Sequence, residues 1–194
     1  MSLFAEPDGA TPIGPAEARE LRLSWITTRQ ELNAAEQDNI LAGLAWAHRR
    51  RRTELLSEAF VRRLHREMFG EVWHWAGKLR RHQTNIGVSP GEIPVQLRAL
   101  LEDVVYWIDN GSYPTDEIAV RLHHRMVALH PFTNGNGRHT RLLADLLVEQ
   151  KGRPPFTWGG QNLSDPGELR RRYIASLQRA DAHDIGPLLA FARE

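Results

Sequence analysis

Apolar residues recur with a helical period over most of the chain. In "TTRQELNAAEQDNILAGLAWAHRR", Leu32, Ala35, Ile40, Leu44 and Ala47 fall near one face, and Thr27 or Thr28 stands where an N-cap is needed. Ser57 can cap a second helix that carries Phe60, Leu64 and Met68 and stops at Gly70. "IPVQLRALLEDVVYWIDNG" has Pro94 in its first turn, a stripe of Leu97, Leu101, Val104 and Ile108, and a stop at Gly111. "PTDEIAVRLHHRMVAL" repeats the scheme with Ile118, Leu122, Met126 and Leu129. A further helix is predicted from about Arg138 to Gln150, with Leu142, Leu143, Leu146 and Leu147 on its buried side. "DPGELRRRYIASLQRA" begins another, and "DIGPLLAFARE" forms a short last one.

Two stretches break this rhythm. Residues 1–20, rich in Pro, Gly and Ala, read as a flexible N-terminal arm, leaving residues 21–194 as one domain whose first helix lies within 21–50. Residues 76–94, "AGKLRRHQTNIGVSPGEIP", carry Gly, Pro and Asn punctuation and a brief β-like piece around Ile86, Gly87 and Val88. The expected fold is therefore all-α: a compact helical bundle bearing one short β-hairpin or flap.

Composition narrows the function classes. The 194 residues suit a single domain. With 25 basic and 24 acidic residues the formal net charge is +1, so the molecule as a whole has no nucleic-acid footprint and any electrostatic function must be local. The run "HRRRR" at 48–52 follows a helix, where cations complement the dipole. There are no cysteines, which excludes thiol chemistry and thiolate metal sites. The first residues lack a basic start followed by an apolar run, and no apolar stretch approaches bilayer-spanning length. The expected address is cytoplasmic, with no membrane association.

The chemistry concentrates in "HPFTNGNGRHTR", residues 130–141. Pro131 discourages the preceding helix from continuing, and Gly135 and Gly137 permit backbone to approach a ligand closely. A helix begins directly afterwards, and its first N–H groups, unpaired and at the positive end of the dipole, form an anion site. Arg138 and Arg141 share one side of that first turn and can fork onto phosphate oxygens. Alone, arginines there would oppose the dipole, so a bound anion would relieve a charge conflict. The alternative is a solvated interhelix turn. His130 stands beside the turn, either as a structural group or as a general base.

This string resembles the signature of the Fic family, H-P-F-x-[DE]-G-N-G-R-x-x-R, at His130, Pro131, Phe132, Gly135, Asn136, Gly137, Arg138 and Arg141. "WAGKLR" (75–80) and "YIASLQRADAHDIGPLLAF" (173–191) resemble the segments before that family's target-docking flap and in its closing helices. The resemblance implies transfer of AMP from ATP to a Ser, Thr or Tyr hydroxyl of a target protein. By that likeness His130 would be the general base. The Gly135–Gly137 amides and the Asn136 side chain would hold the α-phosphate, while Arg138 and Arg141 would take the β- and γ-phosphates. Mg²⁺ would bridge phosphate oxygens, and the flap at Ile86, Gly87 and Val88 would receive the target as an added strand. Tyr173 is either a contact of the base or a core or rim aromatic.

Three positions refine what the likeness implies. Asn134 stands where the family has the acidic Mg²⁺ ligand, which leaves open weaker metal dependence, an altered nucleotide preference, or a weakly active or inactive nucleotide-binding module. Gly137 stands where the Doc-like kinases, which transfer the γ-phosphate, have Lys; this favours nucleotidyl transfer. Thr27 and Glu31 have the spacing of the family's inhibitory [ST]-x-x-x-E-[GN] helix, but Leu32 replaces its last position. Glu31 is thus either an inhibitory carboxylate or part of a helix cap, and in the second case restraint falls to a separate antitoxin-like partner.

Overall fold

A computed structural model describes residues 18–49, 54–160 and 166–194. Most of the expected N-terminal arm lies outside these residues. Seven α-helices run through the described residues: α1 Arg29–His48, α2 Glu58–Phe69, α3 Ile93–Asp109, α4 Thr115–Leu129, α5 Asn136–Gln150, α6 Pro166–Asp181 and α7 Gly186–Arg193. A 3₁₀ turn, Pro90–Glu92, leads into α3. The fold is all-α.

Local chemistry explains the ends. Thr28 and Glu31 form a reciprocal capping box at α1, which starts at Arg29, and the preceding chain is tied down by a bridge between Leu21 and Trp73. Ser57 caps α2 by accepting from the Phe60 N–H. α5 begins at Asn136, two residues earlier than the periodicity suggested, because Gly135 adopts φ 75° and serves as its N-cap.

α1 packs on α2, α4 lies between α3 and α5, and α6 pairs with α7, which also reaches α4. Leu32, Leu64, Met68, Phe69, Trp73, Leu97, Leu122, Met126, Leu143 and Leu147 are fully buried between these helices. The buried face of α1 differs from the expected one. It comprises Leu32, Glu36, Asn39, Gly43 and Ala47. Two polar residues lie inside because each has a fixed partner: Asn39 donates to the Glu67 carbonyl and accepts from the Glu71 N–H, and Glu36 accepts from the Trp73 indole. Leu41 is left half exposed.

The flap also differs from expectation. Among the described residues it is an ordered loop and not a hairpin, fastened by one antiparallel bridge between Leu79 and Phe132. Its pairing is replaced by Arg80, a buried guanidinium that donates to the carbonyls of His130, His82 and Val88. Three main-chain acceptors suit its planar fork and satisfy a cation buried at the base of the loop.

Candidate active site

The motif loop joins the end of α4 to the start of α5, and backbone geometry sets both borders. His130 closes α4 in the left-handed region, φ 52° and ψ 61°, while its N–H still completes the helix on the Met126 carbonyl. That conformation turns the chain sharply and sets the imidazole beside the α5 N-terminus. Phe132 is fully buried, its ring stacked 3.8 Å from that of His65. The Asn136 side chain then clamps the loop: its oxygen accepts from the Phe132 N–H at 2.9 Å and its amide donates to the Phe132 carbonyl at 2.8 Å. These two bonds engage the amide oxygen and one of the two amide hydrogens, so the second amide N–H and the main-chain N–H remain to face a ligand.

A cavity of about 750 Å³ opens over this loop. His130, Asn134, Gly135, Asn136, Gly137, Arg138, Arg141 and Tyr173 all line it, as do Ile86 and Gly87 of the flap. Val88 lies outside the lining and acts through its main chain, donating to the Leu129 carbonyl and accepting from Arg80. Gly87, at φ 103°, presses on the histidine: a Cβ there would meet the His130 Cβ at 2.6 Å. The flap backbone at Gly87 thus leaves no room for a side chain beside His130.

The electrostatics favour a neutral base facing an anion site. Burial, reinforced by the Arg80 guanidinium and opposed by a backbone hydrogen bond with Val127, lowers the His130 pKa to about 4. The imidazole is unprotonated at neutral pH and able to accept a proton. On the opposite border, Arg138 is held by Glu36 at 2.7 Å and lies 4.9 Å over the Phe69 ring. Arg141 lies 5.4 Å from the Tyr173 ring centroid and donates its Nε–H to the Gly137 carbonyl.

Of the two alternatives for Glu31, the helix cap is the arrangement present. The Glu31 side chain accepts from the Thr27 and Thr28 N–H groups at 2.8 and 2.9 Å, which fixes it at the α1 cap and away from the cavity lining. The carboxylate that reaches a motif arginine is Glu36, and its partner is Arg138, not Arg141. Tyr173 is likewise redirected: its hydroxyl pairs with His123 at 3.0 Å. His123 also lies 3.0 Å from the Thr140 hydroxyl, which donates to the Gly137 carbonyl. Tyr173, His123 and Thr140 thus brace the first turn of α5 from behind.

Sequence reasoning missed Glu36, His65, Arg80 and Arg170. His65 donates from Nε2 to the Asn134 carbonyl and accepts from the Gly77 N–H at Nδ1, bracing the motif loop from α2. A histidine between Leu64 and Met68 on an otherwise apolar face was the available signal. Asn134 turns its own side-chain oxygen onto the Gly135 N–H at 2.6 Å. Among the described residues no group of three or more His, Asp or Glu could hold a metal ion.

Residues 55–148 match the model of the Fic/DOC family. The chain is 34% identical over 119 residues to protein adenylyltransferase fic-1 of Caenorhabditis elegans, covering 60% of this chain and 22% of that protein. It is 29% identical over 182 residues to protein adenylyltransferase Fic of Drosophila mojavensis, covering 87% and 34%. It therefore spans about a fifth to a third of the curated relatives it matches. Among solved structures, C. elegans Fic-1 superposes with a TM-score of 0.58 at 29% identity, covering 81% of this chain and 47% of that one. BepC of Bartonella tribocorum, solved with bound AMPPNP, reaches 0.70 at 14% identity over 93% of this chain and 97% of that one.

Proposed function

The chain belongs to the Fic/DOC family, and from that premise we propose that it is a protein adenylyltransferase moving AMP from ATP to a Ser, Thr or Tyr hydroxyl of a target protein. One observation carries the reading. A single cavity has a neutral imidazole on one border and, on the other, the main-chain N–H groups of a helix start flanked by guanidiniums.

The chemistry balances with groups the chain supplies. A target hydroxyl beside the flap gives its proton to His130 as its oxygen attacks the α-phosphorus. The bond from that phosphorus to the α–β bridging oxygen breaks, and pyrophosphate leaves. The N–H groups of Asn136 and Gly137, at the start of α5, would face the charge growing on the α-phosphate, and Arg138 and Arg141 would stabilise the leaving group. General-base assistance of this kind is worth roughly 10²- to 10⁴-fold. The phosphates would raise the His130 pKa from its resting value toward the working range. Gly137, with only the Tyr173 hydroxyl at 3.8 Å from where a Cβ would stand, leaves the α-phosphate close access to backbone and favours nucleotidyl over phosphoryl transfer. An extended target segment would lie along Ile86–Val88, next to His130.

The residues present do not fit a protein-held Mg²⁺. Asn134 offers one uncharged oxygen that already accepts from Gly135, so magnesium would arrive as part of the MgATP substrate. That same observation favours a second reading, a weakly active nucleotide-binding module of the same fold. With Glu31 in a helix cap, a carboxylate opposing Arg141 would have to come from an antitoxin-like protein. Among the described residues no helix is long and apolar enough to cross a membrane.

Labelled ATP tests the proposal. Protein-bound label from α-phosphate-labelled ATP, none from γ-labelled ATP, and loss of labelling in His130→Ala with ATP binding retained are expected. Label from the γ-position would establish phosphorylation instead, and ATP binding without transfer in the native chain would establish the second reading.

A further inference from the structure

Two arginines on the cavity, Arg29 and Arg170, have no role in the family signature. Arg170, on the second turn of α6, lines the same cavity as the motif loop but approaches from the opposite helix. Its Nε is buried and has no hydrogen-bond partner, and it forms no ion pair among the described residues. Other arginines of this helix are paired: Arg172 with Glu194 and Arg179 with Asp184. Arg170 is otherwise half-exposed, but a buried donor such as its Nε–H is destabilising while it lacks an acceptor.

Its surroundings add to the conflict. Arg170 stands close enough to Arg141 and Tyr173 for its charge to act on both. Arg141 forms no ion pair among the described residues and donates only to the Gly137 carbonyl. Of Arg138, Arg141 and Arg170, only Arg138 pairs with a carboxylate, Glu36, among the described residues. Positive charge therefore accumulates at the Arg141–Arg170 end, where no anionic side chain of the described residues stands within hydrogen-bond reach. A multiply charged anion would supply both the missing acceptors and the missing charge.

We infer that Arg170 completes a three-arginine cradle and grips the terminal phosphate of the nucleotide, so that the site selects nucleoside triphosphates over di- and monophosphates. The inference rests on the nucleotide-transfer reading above and assigns it a specificity residue. The α-phosphate lies at the Asn136 and Gly137 amides near His130, and the remaining phosphates extend past Arg141 toward α6. Only a ligand with a third phosphate reaches Arg170.

Calorimetric titration of the full chain with ATP, ADP and AMP tests this, using the native protein, Arg170→Gln and Arg170→Lys, each checked for folding by thermal unfolding. Arg170→Gln should weaken ATP binding roughly ten- to hundredfold, the range for a lost charge-assisted hydrogen bond, and leave AMP binding unchanged, collapsing the ATP-to-AMP preference. Arg170→Lys should recover part of that preference. An equal loss for all three nucleotides, or none for any, in folded variants overturns the inference while leaving the transfer reading in place. A native chain that binds none of the three overturns both.

Discussion

The two glycines of the motif stand two residues apart, yet the structure assigns them different work, and alanine at each separates packing from ligand approach. Gly135 has φ 75°, and a Cβ there would sit 2.7 Å from both Cε2 and Cζ of Phe69, a ring with no exposed surface that has nowhere to move. The left-handed conformation costs an L-residue about 1–2 kcal/mol, and overpacking a filled core adds about 1–3 kcal/mol. For a domain of this size the sum lowers the melting temperature by roughly 5–15 °C. Gly137 is helical, and its Cβ would meet only the Tyr173 hydroxyl, at the ordinary contact distance of 3.8 Å. Gly137→Ala should therefore melt at the native temperature or slightly above it, since alanine gains up to about 0.5–1 kcal/mol over glycine in a helix. Its methyl would nevertheless occupy the space where a phosphate approaches the α5 amides, and ATP affinity should fall at least about tenfold, or ~1.4 kcal/mol. Thermal unfolding and calorimetric titration on the same two variants supply both numbers. A Gly137→Ala protein that binds ATP like the native chain would refute close approach of phosphate to this backbone. A Gly135→Ala protein of native stability would refute the packing account.

Two further outcomes follow from the buried polar groups. Glu36→Gln keeps an acceptor for the Trp73 indole but removes the charge that holds Arg138, so the KM for ATP should rise several-fold with kcat nearly retained; tighter ATP binding would instead show that Glu36 competes with the phosphates for Arg138. Burial lowers the pKa of His123 to about 3 and of His139 to about 4, so between pH 6.5 and about 4 the unfolded chain binds more protons and stability falls with pH, by up to roughly 3 kcal/mol for each. Asp145 opposes them: burial raises its pKa to about 7, above its unfolded value, so its contribution favours folding as pH drops from 7 toward 4. Melting temperatures across this range should fall on acidification and fall more steeply in Asp145→Asn; a flat profile in both proteins would contradict neutral burial of these histidines.

The helices, the caps at Thr28 and Ser57 and the motif loop were legible along the chain because each rests on neighbours a few residues apart. Period, cap and turn are local rules, and they hold in any fold that can bury the apolar stripes. The glycine-rich turn before α5 is of this kind, and so is the anion site proposed there. The face of α1 was misread because Glu36 and Asn39 are buried by partners 28 to 102 residues away, and no periodicity records such a partner. Glu31 and Glu36 look alike as sequence. Glu31 finds its hydrogen bonds within its own turn, whereas Glu36 is carried by helix packing to Trp73 and Arg138. Arg80 and Arg170 likewise sit among many arginines in the sequence, and only the tertiary structure set one beneath the flap and the other against the cavity. The sequence by itself determined the helical class and the anion-binding turn, since these depend on short-range geometry. The tertiary structure decided which carboxylate meets which arginine and how the base is kept neutral, because burial and long-range pairing arise only once the helices close on one another.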